Sequence, residues 1–409
     1  DGPGQVVDVA VEMVRLPDDR TLADLAATGR LTSDQLEAVG RTLAAFHAQS
    51  PRAPGYGTPE ALAALVTENF ETTVAVDTGL DVPSRERVHA FQRSLLDDPV
   101  VARRHAEGRT RDGHGDLRTD HVYLLDDLAT PRVVVIDGVE FDVAYRAGDV
   151  AMDIAFLGMD LWLHVSREAA ERLLATWTVE LDDAGAYAVL DRYMAYRAWV
   201  RGKVRAMSRQ PEAARQRFAL AATIATCATE GGLVAVSGPI AAGKSTLARQ
   251  LAQALAAPHF AADRLRKRIA GVSEETSLGE RPFAGAYAPE ATDQVYDGLI
   301  ERARHVWRSG RVAIVDASFR DVRHHAQVRK AAAAEGVPVR FVRCEAPVEV
   351  LRTRLRARDS GPSDAREPLL EPFLARYEPP RGDDVVAVDT SQPVDVEAVL
   401  TRLGITTPW

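Results

Sequence analysis

The sequence has 409 residues, 46% hydrophobic and 27% charged, which is too long for one ordinary core and apolar enough to fill two globular domains. Its 50 Lys and Arg against 59 Asp and Glu give a formal net charge of −9, which argues against nucleic acid as its main partner and leaves room for a local basic site. The two cysteines lack zinc or redox spacing, no apolar run is long enough to span a membrane, and the first residues lack the pattern of a signal peptide, so a reduced, cytoplasmic protein is expected.

The chain starts at Asp1 rather than methionine, which suggests a segment of a longer protein. In chain order, the pattern predicts a strand over residues 6–15 and an amphipathic helix over 33–47, with Leu36, Val39, Leu43 and Phe46 on one face. Short strands follow near 122–125 and 133–136, then helices over 149–165, 167–181 and 184–207. This half predicts an α+β domain with a large helical lobe. A Gly pair near 231 divides the chain into domains 1–230 and 231–409. Beyond it, strands at 233–236, 257–262, 312–315, 339–343 and 385–388 alternate with helices starting near 245, 290, 322, 347 and 394, predicting an α/β domain with a parallel sheet.

The upstream half contains HGDLRTDHVYLL followed by VVVIDGVEF. The downstream half contains LVAVSGPIAAGKSTLARQ, a GxxxxGK(S/T) Walker A loop between an apolar strand and an amphipathic helix. Backbone N–H groups of Gly238, Pro239, Ile240, Ala241, Ala242, Gly243, Lys244, Ser245 and Thr246, proline excepted, are placed to cradle phosphates, since glycines leave the approach open and the helix N-terminus adds positive potential. Lys244 is expected to reach the β- and γ-phosphates of ATP, and Ser245 to hold Mg²⁺. The chain has four lysines, so one inside a glycine-rich loop is notable.

Asp316 ends the strand VAIVD, where a carboxylate is expected to hold magnesium through water; a helix-capping aspartate would look the same in sequence. Asp263 follows the strand HFAA and opens the basic helix DRLRKR, placing a candidate general base near the phosphates, with Arg264 or Lys267 as candidates to hold an acidic part of the acceptor. LRTRLRARD sets Arg354 and Arg358 four residues apart, a spacing suited to arginines that fold over a triphosphate; Arg352 and Arg356 share the other register.

The segments GPIAAGKST, AADRLRKRIAG, AIVDASF and RTRLRARDSGPSDA resemble gluconate kinases, zeta-toxin-like kinases and the kinase module of polynucleotide kinases. The resemblance implies a P-loop kinase core with Lys244 and Ser245 on nucleotide and magnesium, Asp263 as base, and Arg354 with Arg358 in a mobile lid. HGDLRTDH and VVVIDG resemble the catalytic and metal loops of aminoglycoside-phosphotransferase-like kinases, implying Asp116 as base and Asp137 on magnesium. The asparagine this family carries five residues after the Asp is His121 here, a poorer magnesium ligand. The family's early lysine has no counterpart before Lys203, and only residues 6–15 match its small lobe. The whole chain resembles bacterial two-domain proteins that join such a domain to a P-loop domain.

These features predict an ATP-dependent kinase acting on a hydroxyl of a small molecule such as a sugar or aminosugar, with chemistry at the P-loop. The alternatives are a polynucleotide 5′-hydroxyl kinase, which the net charge disfavours, and an ATP-gated regulatory or binding protein that transfers little. No membrane partner is expected, and the oligomeric state is not encoded in any of these motifs.

Overall fold

The computed structural model describes residues 13–126, 131–227, 229–274, 276–278, 284–357 and 364–405. Upstream, the described elements run α1 (Leu22–Ala27), α2 (Ser33–Gln49), α3 (Pro59–Glu71), α4 (Val82–Arg93), α5 (Val100–Ala106), β1 (Thr110–Asp112), β2 (Val122–Leu124), β3 (Val133–Val135), β4 (Ala147–Asp149), α6 (Val150–His164), α7 (Arg167–Leu181), α8 (Leu190–Met207) and α9 (Pro211–Thr226). Most of the strand expected over residues 6–15 lies outside the described residues, and its described end, from residue 13, is irregular.

The helices start where their caps dictate. Thr32 and Gln35 form a reciprocal capping box on α2, and Ser166 accepts from Ala169 N to open α7. The helix expected over 184–207 is a 3₁₀ turn, Ala184–Ala188, followed by α8. Helices α2, α6, α7, α8 and α9 pack on one another to form the helical lobe. Buried Arg104 ties that lobe to the sheet ends, donating to Asp149 (2.7 and 2.9 Å) and to Asp183 (2.8 and 2.8 Å). Two antiparallel pairs, β1 with β4 and β2 with β3, hold the loops between them in place.

Downstream lie β5 (Gly232–Ser237), α10 (Lys244–Leu255), β6 (His259–Ala261), α11 (Ala262–Ile269), α12 (Pro289–Arg308), β7 (Val312–Asp316), α13 (Val322–Ala333), β8 (Val339–Glu345), α14 (Val348–Arg356), α15 (Leu370–Leu374), β9 (Val385–Asp389) and α16 (Val396–Leu403). The five strands form a parallel sheet in the order β6-β7-β5-β8-β9. Every residue of β5 is buried, as expected for a central strand covered by helices on both faces. The register pairs Val236 with Asp316 and Asp316 with Ala261, so the ends of three adjacent strands meet beside the P-loop.

One apolar core continues from the helical lobe into the sheet. Across the same boundary the largely buried Arg311 donates to Glu171 (2.6 and 2.9 Å) and to Asp191 (2.9 and 2.7 Å). Burial opposes its charge, but the two carboxylates more than offset that and hold its pKa well above the usual arginine value. Among the described residues, no helix is long and apolar enough to cross a membrane.

Candidate functional site

The loop between β5 and α10 has the backbone geometry its sequence demands. Gly238 sits at φ 147, where a Cβ would come within 2.6 Å of the Cys344 carbonyl oxygen, and Gly243 sits at φ 76 immediately before α10. Either position would strain an ordinary side chain. Ala241, at φ 62, takes that strain inside the loop. Lys244 folds back and donates to the Pro239 carbonyl at 2.8 Å, so its ammonium group lies over the loop.

The loop forms the floor of a cleft of about 440 Å³. Lys244, Ser245, Asp316 and Asp263 all line it. Asp316 is buried; burial alone would raise its pKa, but His259, Lys244 and a hydrogen bond from Ser245 outweigh that and hold the carboxyl below the usual range. The carboxylate therefore stays ionised beside the serine hydroxyl. A buried carboxylate and a hydroxyl at a helix N-terminus are hard oxygen donors, the set a magnesium ion takes when it also keeps water and phosphate ligands.

Asp263 lies in the first turn of α11, one strand away from Asp316. Its neighbours differ from the sequence expectation. Arg264 pairs with Glu180 and Glu274, and Lys267 is 1% exposed, donating to the Glu274 carbonyl (2.6 Å) with Asp364 at 3.8 Å. Protein acceptors therefore engage both side chains expected to hold the substrate. Arg264 lines the cleft together with Arg266, Arg320, Tyr287, Tyr296 and Phe373, and Arg266 too is engaged by the protein, donating to the Ala286 carbonyl. The Arg266 guanidinium stacks on Tyr287 at 4.6 Å.

Arg354 does not reach over the cleft. It donates to the carbonyls of Ala241 (3.3 Å) and Thr390 (2.5 Å), bracing the P-loop from behind, while Thr390 Oγ1 donates to the Ala242 carbonyl (2.8 Å). Arg352 and Arg356 are paired with Glu349, Glu371 and Glu367. Arg358 lies outside the described residues.

The upstream candidates also converge. Ligand atoms of Asp116, His121 and Asp137 lie within 4.8 Å of one another. The cause is the β2–β3 hairpin: Ile136 N donates to the His121 carbonyl (3.0 Å), which brings the two loops together. Asp153, the buried fourth residue of α6, accepts from His114 N (2.8 Å) and Gly115 N (2.9 Å) and so shapes the loop that presents Asp116. The cluster has a resident cation that the sequence reading missed: Arg118 Nε donates to Asp116 (3.1 Å) and Arg118 Nη2 to His121 Nε2 (2.5 Å).

His259 was missed too. It opens β6, and only the sheet order reveals that its ring lies beside Asp316. No spacing along the chain signals that contact.

A family model described as AAA domain matches residues 233–380. The uncharacterized protein Rv2004c of Mycobacterium tuberculosis is 30% identical over 388 residues, covering 92% of this chain and 77% of its own length. Among solved structures, a sugar kinase from Janibacter sp. is 23% identical over 44% of this chain and 96% of its own, with a TM-score of 0.35. A gluconokinase from Sinorhizobium meliloti is 23% identical over 43% of this chain and 91% of its own, with a TM-score of 0.31.

Proposed function

The chain belongs to the same family as the mycobacterial protein Rv2004c, and from that premise we propose that it is an ATP-dependent phosphotransferase acting on a hydroxyl of a small molecule such as a sugar or aminosugar. The single observation that carries this reading is the cleft in which Lys244 and Ser245, Asp316 and Asp263 line one space of about 440 Å³. Asp263 is a carboxylate beyond the residues that serve nucleotide and metal, and in this reading it activates the hydroxyl of a second substrate.

In this reading the backbone of residues 238–246 cradles the triphosphate and Lys244 Nζ leaves the Pro239 carbonyl to reach the β- and γ-phosphates. Ser245 and Asp316 would hold Mg²⁺, which when bound would neutralise phosphate charge. Asp263 takes the proton of the acceptor hydroxyl as that oxygen bonds to the γ-phosphorus. The bond from phosphorus to the β–γ bridging oxygen breaks, and ADP leaves. Arg266, Arg320, Tyr287 and Phe373 wall the acceptor side. Arg354 steadies the loop, and Arg358 remains the candidate for an arginine that closes over the phosphates.

The chain divides near residue 230 into an upstream domain of the aminoglycoside-phosphotransferase type and a P-loop kinase domain, and works in the cytoplasm. Asp116, His121 and Asp137 form the remnant of a second kinase site whose charge Arg118 balances. Incubation with γ-labelled ATP and a panel of sugars, aminosugars, nucleosides and oligonucleotides tests the proposal. Label is expected on a sugar or related polyol; slow hydrolysis independent of every acceptor would overturn it, and salt-sensitive labelling of oligonucleotide ends alone would replace it with polynucleotide phosphorylation.

A further inference from the structure

We propose that Glu180 and Asp182, at the end of α7 in the upstream half, are positioning residues that set the orientation of Asp263 in the P-loop cleft; this rests on the kinase reading above. The helix concerned, α11, is two turns long, lacks a side-chain cap at its N-terminus, and follows β6, a three-residue strand at the edge of the sheet. On one side Leu265 packs against α12, with its Cδ2 within 3.0 Å of where a Gly298 Cβ would stand. The other side is held by residues from α7.

Arg264 and Arg268 lie four residues apart on α11, hence on one stripe of its surface. Arg264 Nη1 donates to Glu180 Oε1 at 3.2 Å, with Nη2 on the other carboxylate oxygen. Arg268 donates to the Val179 carbonyl at 3.0 Å and lies 3.0 Å from Asp182 Oδ1. Asp182 is itself fixed by a two-pronged pair with Arg302 of α12, at 2.8 and 2.8 Å, and its left-handed backbone (φ 54) ends α7 at that point. Asp182 thus links α7, α11 and α12.

Two contacts from one stripe to a neighbouring element oppose rotation of α11 about its own axis. Asp263 immediately precedes Arg264, so that rotation is the motion that would swing its carboxylate away from the phosphates. The pairs are partly exposed, and pairs of that kind add little to global stability. Their consequence is geometric, and a displacement near 1 Å at a reacting group costs about 100-fold in rate.

The test compares the full chain with the Glu180→Gln/Asp182→Asn double variant, in which the asparagine keeps the left-handed backbone accessible. With γ-labelled ATP and glucose, glucosamine and gluconate as acceptors, kcat should fall about 10- to 100-fold while the Kd for AMPPNP changes by less than about 2-fold. Glu180→Asp should retain more turnover than Glu180→Gln. In parallel, hydrogen exchange of the amides of residues 263–268 should quicken in the double variant and that of α10 should not. Wild-type protein that transfers neither to these acceptors nor to any of the wider panel above, together with quicker exchange confined to α11, sinks the kinase reading and keeps the clamp. Unchanged turnover with unchanged exchange, or equal losses of turnover and AMPPNP binding, overturns the positioning role.

Discussion

His259 Nε2 lies 3.6 Å from Asp316 Oδ2, so the carboxylate at the end of the central sheet shares its place beside the P-loop with an imidazole from the edge strand. The pair, with Lys244 and Ser245, keeps Asp316 ionised despite its burial. The residue is therefore available to a divalent cation throughout the neutral range.

Replacing that charge should separate metal from nucleotide. Asp316→Asn keeps the shape and removes the anion, and is expected to weaken Mg²⁺ dependence of ATP binding roughly 10- to 100-fold. A magnesium titration monitored with a fluorescent ATP analogue measures it. A magnesium profile identical to wild type would place the ion elsewhere.

The upstream cluster makes the opposite forecast. Arg118 already supplies a cation among Asp116, Asp120 and His121. Removing it with Arg118→Ala should increase Mn²⁺ affinity at Asp116, His121 and Asp137 by about 10-fold, since three ligand groups then face one another unbalanced. Electron paramagnetic resonance of free Mn²⁺ reads this directly. Asp116→Asn should leave phosphoryl transfer at the P-loop nearly unchanged; a large loss would show that the upstream loop still does chemistry.

The boundary between the halves depends on Arg311. Arg311→Ala removes the cation that Glu171 and Asp191 share; Arg167 stays 3.7 Å from Glu171 and Asp191 is 30% exposed, so the expected cost is about 2 kcal/mol, below that of breaking a fully buried pair. Denaturant unfolding of both proteins checks the value. A change under about 1 kcal/mol would mean that the apolar core alone fixes the two halves.

Acid should loosen the helical lobe through His89, which packs between Phe70 (3.7 Å) and Trp199 (5.2 Å). Burial, then Arg93 and Arg85, lower its pKa from 6.5 to about 4. The unfolded chain takes up the proton first, so the neutral ring's contribution is complete above pH 6.5 and is lost as pH falls toward about 4. Thermal melts across that range should show a falling Tm in wild type and a flatter profile in His89→Phe.

Much of this architecture is legible in the sequence because local chemistry and global fold agree in it. The helix over 167–181 has the expected bounds, and the strand expected over 233–236 runs one residue further at each end, Gly232–Ser237, since periodicity, caps and glycines mark nearly the same limits. Asp116, His121 and Asp137 could be grouped from two motifs because a single hairpin joins them. What was not legible depends on elements far apart in the chain. Arg264 reads as a substrate-binding arginine until Glu180, 84 residues upstream, is found beside it. Arg354 reads as a lid residue until it is seen against the carbonyls of Ala241 and Thr390. Arginine side chains are long and find carboxylates or carbonyls wherever the fold brings them, and sequence spacing does not specify those partners.

The central claim is that one cleft binds ATP through Lys244 and transfers its phosphoryl group with Asp263 as the base. The most direct measurement is single-turnover transfer from γ-labelled ATP, with ATP affinity determined in parallel, for wild type, Lys244→Ala and Asp263→Asn. The account predicts that Lys244→Ala loses binding, whereas Asp263→Asn binds ATP as wild type does and transfers about 100-fold or more slowly. Transfer by Asp263→Asn at the wild-type rate would contradict it.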